Sequence, residues 1–211
     1  YNGANPMTCF ISNLRIVKSN CLYTSSFTVS QDPLVPITNC IMLLRATPYT
    51  LDITKNVNTV SITGSNTMIG GICGTKNTNY TGTPPPGGEG VVYIPNISAG
   101  GNYFAANPAA FYFNWWTTKF TCELWVNYQS FTNTSIMNAS PVYNCPTLIG
   151  MMNATNGTNY WSFGANTDGT ISFYYWTGTQ QTVTTTDKIS LNTWYHIAVT
   201  YDLSSIRILI N

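Results

Sequence analysis

The sequence predicts an all-β, antiparallel sandwich, and three observations point there. Short runs of β-branched and aromatic residues recur along the chain, often alternating with polar ones. Asn, Gly, Pro and Ser punctuate those runs, and no stretch carries the 3.6-residue apolar spacing of an amphipathic helix. Many strands at short intervals build a sandwich or a barrel.

In order, strands are expected at residues 9–17, 41–45, 59–63, 120–128, 147–151, 160–165, 170–176, 182–186, 194–201 and 206–210. Between the sixth and seventh, two aromatic runs flank Asn166-Thr167-Asp168-Gly169, and Asp-Gly supplies the positive φ angles of a tight hairpin turn. Asp202-Leu203-Ser204-Ser205 separates the last two and predicts a second hairpin with a slightly longer loop. Residues 75–90, with Thr-Pro-Pro-Pro-Gly-Gly-Glu-Gly at their end, withhold the backbone donors a sheet needs and read as an inserted surface loop.

Composition narrows the function. Only 7% of the 211 residues are charged, against roughly a quarter in ordinary soluble domains, so solubility has to come from Asn, Thr, Ser and Gly or from attached sugar. The net charge is +1 and the basic residues are scattered, which disfavours nucleic acid and anionic membrane surfaces as partners. No run approaches the roughly 20 apolar residues that span a bilayer, so membrane insertion is not expected. No basic n-region followed by an apolar stretch stands at Tyr1, so the signal of an exported protein would lie outside the sequence or have been removed, and the first residue reads as a cut end.

Six cysteines, Cys9, Cys21, Cys40, Cys73, Cys122 and Cys145, lack the C-x-x-C pairs and histidines of a zinc site. Their even number suits three disulfides of open connectivity; buried free thiols in separate strands are the alternative. N-x-S/T sequons stand at Asn79, Asn96, Asn133, Asn138, Asn153 and Asn156, all in loop-like segments. Low charge, sequons and cysteines together predict an oxidising, glycosylating compartment, hence an extracellular or surface location on a cell appendage or virion.

Phe120-Thr-Cys-Glu-Leu-Trp-Val126, Tyr160-Trp-Ser-Phe-Gly164, Ile171-Ser-Phe-Tyr-Tyr-Trp176 and Ser190-Leu-Asn-Thr-Trp-Tyr-His-Ile-Ala-Val199 resemble the laminin-G-like, concanavalin A-like lectin/glucanase superfamily. The resemblance implies a jelly-roll sandwich over residues 39–211 and identifies a fold rather than an activity, since lectins, glycosidases and adhesive modules share it. Phe10-Ile-Ser-Asn-Leu-Arg-Ile-Val17 and Leu22-Tyr-Thr-Ser-Ser-Phe27 look like the closing strand and tail of the same domain type, at the opposite end of the chain from where that tail belongs. Residues 1–38 are therefore expected to close a preceding or neighbouring unit, with residues 39–211 lacking their own last strands. On that expectation Cys9, Ile11, Asn13, Arg15 and Val17 form an assembly strand whose ladder lies outside this chain's sandwich.

Catalysis is not expected. Glycosidases of this fold need two facing carboxylates, and Asp32, Asp52, Glu89, Glu123, Asp168, Asp187 and Asp202 form no close pair. Glu123 is the one acid inside a clearly patterned strand and is expected to pair with an arginine such as Arg15 or Arg207, or with backbone donors. His196, the sole histidine, reads as a packed or hydrogen-bonded strand residue. No metal or other cofactor is expected, because Asp168 is better explained by its turn than by calcium. Trp115, Trp116, Tyr174 and Trp176 are candidates for contact with glycan or another subunit, since exposed aromatic faces suit both. The leading expectation is a structural or adhesive repeat of an extracellular filament whose partners are copies of itself. A carbohydrate-binding lectin-like module comes second and a glycoside hydrolase third.

Overall fold

A computed structural model describes residues 8–44, 60–63, 67–69, 91–94, 103–106, 117–131, 136–137, 143–144, 148–151 and 161–211. The strands are β1 (Cys9–Lys18), β2 (Cys40–Leu44), β3 (Val60–Thr63), β4 (Thr67–Ile69), β5 (Val91–Ile94), β6 (Tyr103–Ala106), β7 (Phe120–Tyr128), β8 (Ile136–Met137), β9 (Tyr143–Asn144), β10 (Ile149–Met151), β11 (Trp161–Ala165), β12 (Thr170–Trp176), β13 (Gln180–Lys188), β14 (Trp194–Tyr201) and β15 (Ile206–Ile210). Two antiparallel sheets dominate, as the sequence predicts. One runs β15-β14-β7-β1-β5-β4, with β2 also paired to β1; the other runs β10-β11-β12-β13. Two short ladders, β3-β6 and β8-β9, complete the set, and β4, β5, β6, β8 and β9 are strands the sequence reading did not anticipate.

Alternation along β7 shows how the core forms. Phe120, Cys122, Leu124, Val126 and Tyr128 face the second sheet, where they meet Trp161, Phe163 and Ala165 of β11 and Ile171 and Phe173 of β12. Phe120 lies 5.8 Å from Phe173 and 6.3 Å from Trp161 between ring centroids, the usual spacing of packed aromatic pairs. The Tyr128 hydroxyl, buried at the edge of this layer, accepts the Ala165 amide at 3.2 Å and so ties the two sheets together.

Both expected hairpins are present. Gly169 sits at φ +87° and donates to the Asn166 carbonyl at 3.0 Å, while Asp168 Oδ1 accepts from the Thr170 amide and hydroxyl. In the β14–β15 loop Asp202 accepts from the amides of Ser204 and Ser205 and pairs with Arg207 at 2.6 Å.

The placement of β1 corrects an expectation. Cys9 to Lys18 pairs along one edge with β7, from Cys9↔Tyr128 to Lys18↔Phe120, and along the other with β5 and β2. The strand of Cys9, Ile11, Asn13, Arg15 and Val17 is thus built into this chain's own sheet and is not an outward assembly strand. Burial is the physical reason: Cys9, Ile11, Leu14 and Ile16 belong to the shared core, and an outward strand would leave them in water. Nor do the five residues share a face. The ladder slips between Ser12 and Arg15, where Asn13 takes φ +52°, a left-handed conformation that Asn tolerates better than most residues. The extra residue shifts the alternation, so odd positions face the core before the bulge and even ones after it. Arg15 is thereby placed opposite Glu123 on the other side of the sheet.

The cysteines supply a second correction. Cys9, Cys21, Cys40 and Cys122 are free thiols, so none of the four takes part in an expected disulfide. Their ladder neighbours explain it: Cys9 stands opposite Tyr128 and Ile94, Cys122 opposite Ile16 and Val199, and Cys40 opposite Val17. Burial pushes the Cys9 and Cys122 thiols far above their ordinary pKa and keeps them protonated. Cys73, Cys145, all six sequons, the 75–90 insertion, Trp115 and Trp116 lie outside the described residues.

Candidate functional site

The large sheet has a second face, lined by Arg15 of β1, Thr121, Glu123, Trp125 and Asn127 of β7, and His196, Ala198 and Thr200 of β14. Residues 19–39 cross it as an irregular strap whose feet meet where the Lys18 amide donates to the Asn39 carbonyl at 3.0 Å. Such a long loop without ladder bonds stays down only if side chains hold it. Here the Leu22 amide donates to Thr121 Oγ1 at 2.9 Å, Thr200 Oγ1 donates to the Tyr23 carbonyl at 2.9 Å, and Arg15 Nη1 donates to the Val35 carbonyl at 3.0 Å. Tyr23 and Phe27 stack on one another with centroids 3.7 Å apart, and Phe27 meets the His196 ring edge-on at 5.7 Å.

Beneath the strap a carboxylate is fully satisfied. Glu123 Oε1 accepts from Arg15 Nε at 2.8 Å and Nη2 at 2.6 Å, a two-pronged guanidinium grip. Oε2 accepts from the Tyr23 hydroxyl at 2.7 Å and lies 3.0 Å from His196 Nε2. Glu123 is 0% exposed and His196 1%. Burial alone would raise the Glu123 pKa; the hydrogen bond from His196, the Arg15 charge and the Tyr23 hydroxyl outweigh it and hold the carboxyl below its ordinary value. Burial and the neighbouring Glu123 charge push the Tyr23 phenol well above its own. Both therefore keep their usual forms at neutral pH, an anion gripped by donors.

Chemically this is a lock. Both oxygens of Glu123 are occupied, no second carboxylate is among its partners in the described residues, and the strap closes the way to it. Of the two expected partners, Arg15 is the one that pairs with Glu123, while Arg207 is taken by Asp202. Sequence reasoning expected a packed or hydrogen-bonded His196 but not its partner, 73 residues away, nor the part played by Tyr23. The signal was the phase of two motifs: Glu123 and His196 both sit at polar positions of strands whose alternate residues are apolar.

The smaller sheet offers a different surface. On the side of β12 away from the core, Ser172 bonds to Thr184 at 2.8 Å and accepts from Asn166 Nδ2 at 2.7 Å, and the Tyr174 hydroxyl donates to Asn166 Oδ1 at 3.4 Å. Tyr174 and Trp176 are half-buried there, and Thr182 and Thr184 of β13 are exposed. Among the described residues no three of His, Cys, Asp and Glu gather closely enough to hold a metal ion.

Residues 98–211, which carry β7, the second sheet and β14, match the model of the Concanavalin A-like lectin/glucanases superfamily. The chain belongs to that superfamily. No curated protein matches it, and no solved structure does. Arg15 and Tyr23 lie outside the matched stretch, so the superfamily segment supplies Glu123 and His196 of the lock and residues 8–39 supply the rest.

Proposed function

We propose that this domain is a non-catalytic, extracellular recognition module of the lectin type, with carbohydrate as its ligand class. One observation carries the reading. Glu123, the one carboxylate buried in a strand among the described residues, is sealed under a strap and held by three partners, while hydroxyl, amide and aromatic side chains collect on the far side of the smaller sheet. Asn166, Tyr174, Trp176, Thr182 and Thr184 provide the polar edges and apolar rings that suit the hydroxyls and C–H faces of a sugar, and the buried Ser172 braces Asn166 and Thr184 from beneath.

The filament reading loses its main support, because β1 pairs inside this chain. A glycan array and a hydrolysis assay on the secreted chain test the proposal. Saturable binding of one glycan class, reduced by Tyr174→Ala, with no turnover, supports it. Turnover that disappears in Glu123→Gln while the protein stays folded makes it an enzyme, and a chain that binds no glycan removes the lectin reading.

A further inference from the structure

β13 forms the outer strand of the smaller sheet, and β12 is its one ladder partner among the described residues. Its other edge presents a row of backbone donors and acceptors, a template for another strand. Natural edges are blunted by bulges, prolines or charges. The second half of β13 has such protection: the five residues from Thr184 to Lys188 stand against only three of β12, Thr170 to Ser172, Thr185 Oγ1 folds back to the Asp187 carbonyl at 2.7 Å, and Asp187 and Lys188 bring charge. The first half, Gln-Gln-Thr-Val-Thr, has none. There each residue from Gln180 to Thr184 stands opposite one of β12, without bulge, proline or charge, and Gln181, Thr182 and Thr184 are exposed.

We propose that residues 180–184 are a strand-pairing surface for a second copy of this chain. The segment complements itself. In an antiparallel pairing with its two-fold axis at Thr182, Gln180 faces Thr184 of the second copy, Gln181 faces Val183 and Thr182 faces Thr182, so every cross-strand pair is neutral. A slip by one residue would turn the side chains to the wrong faces. A longer overlap would run into the bulge after Thr184, so the irregular half of the strand fixes the register of the regular half. The contact is isologous and closes as a dimer in which the two smaller sheets become continuous. Thr182 and Thr184 also belong to the proposed sugar-facing side, but the pairing uses their backbone edge, and sedimentation reads oligomeric state alone.

Sedimentation of the full 211-residue chain over a concentration series tests the pairing, with circular dichroism melts to verify folding. Wild type dimerises. Thr182→Lys sets like charges face to face across the axis and weakens the dimer roughly tenfold or more. Gln180→Lys/Thr184→Lys does the same, whereas Gln180→Lys/Thr184→Glu sets opposite charges face to face and keeps the dimer. A wild-type chain that stays monomeric at every soluble concentration overturns the proposal. So does dimerisation indifferent to all three variants, or loss of the dimer in the opposite-charge variant to the same degree as in the like-charge one.

Discussion

The two faces of β7 carry different physics on one strand. Phe120, Cys122, Leu124, Val126 and Tyr128 meet another sheet through apolar and aromatic contact, while on the opposite face Thr121 and Glu123 meet a strap through polar bonds from Leu22 and Tyr23. The first face gains from area and tolerates swaps of similar volume. The second depends on partners, because removing one of them leaves a buried charge uncompensated. A strand can thus be covered on both sides only if its polar side is fully bonded.

Deleting Asn13 breaks the comparison most severely. The bulge lets Ile11 and Leu14 both face the core while Arg15 faces Glu123; without it, either Arg15 enters the apolar layer or the core residues leave it. No cooperative melt is expected. A variant that unfolds within a few degrees of wild type would mean that β1 can shift its register freely and that the Arg15–Glu123 pair is incidental.

Next in size, Glu123→Gln leaves Arg15 buried without a counter-charge and should cost about 3–5 kcal/mol in chemical denaturation. Phe173→Ala, a cavity on the opposite face, should cost a similar amount, about 3–5 kcal/mol. Replacing both charges, Arg15→Met/Glu123→Leu, separates the mechanisms. It should cost about 1–2 kcal/mol, less than Glu123→Gln alone, because His196 and Tyr23 then lack their acceptor and the Val35 carbonyl its donor, but no buried charge is left unpaired. A double variant as unstable as the single one would show that packing, not charge pairing, governs the strap side.

The apolar face was readable in the sequence and the polar face largely was not. Alternation from Phe120 to Tyr128 declares which residues turn inward, and Asp168-Gly169 declares a turn, because both signals are local. The lock joins positions 15, 23, 123 and 196, and only the tertiary register brings them together. Arg15 was within reach as a partner because a strand carboxylate needs a cation. The side of the sheet it occupies depends on a bulge at Asn13 that no neighbouring glycine or proline announces. The same gap explains why β1 was expected to pair outward: its motif names a strand type, and which sheet receives it is decided by burial.

Acid should reveal the polar face by itself. Glu123 titrates near 4.5 when unfolded and lower when folded, so its contribution is present above that value and is lost as pH falls through the folded one. Stability measured from pH 6 downward should therefore decline below roughly pH 4.5, and less steeply in the Arg15→Met/Glu123→Leu variant. The exposed Asp168, held down to about 2 first by the Thr170 hydrogen bonds, shifts in the same direction and leaves some acid dependence in both proteins. Equal slopes would mean that the carboxyl is not ionised in the fold.

The smallest effect belongs to the Tyr23 hydroxyl. Tyr23→Phe removes one of two donors to Glu123 Oε2 while His196 remains on the same oxygen, and the ring can still stack on Phe27. A hydrogen bond to a charged acceptor is worth more than a neutral one, but Tyr23 is half-buried and water can take the phenol's place, so the loss should be about 1 kcal/mol. Because the folded phenol titrates above its unfolded value near 10, wild type should also lose stability as pH rises past that point, and the variant should lose less. In the Glu123→Gln background the same substitution should cost measurably less, since residues sharing one acceptor are coupled. If Tyr23→Phe costs as much in that background as in wild type, the hydroxyl is not coupled to Glu123, and the carboxylate is held by Arg15 and His196 without it.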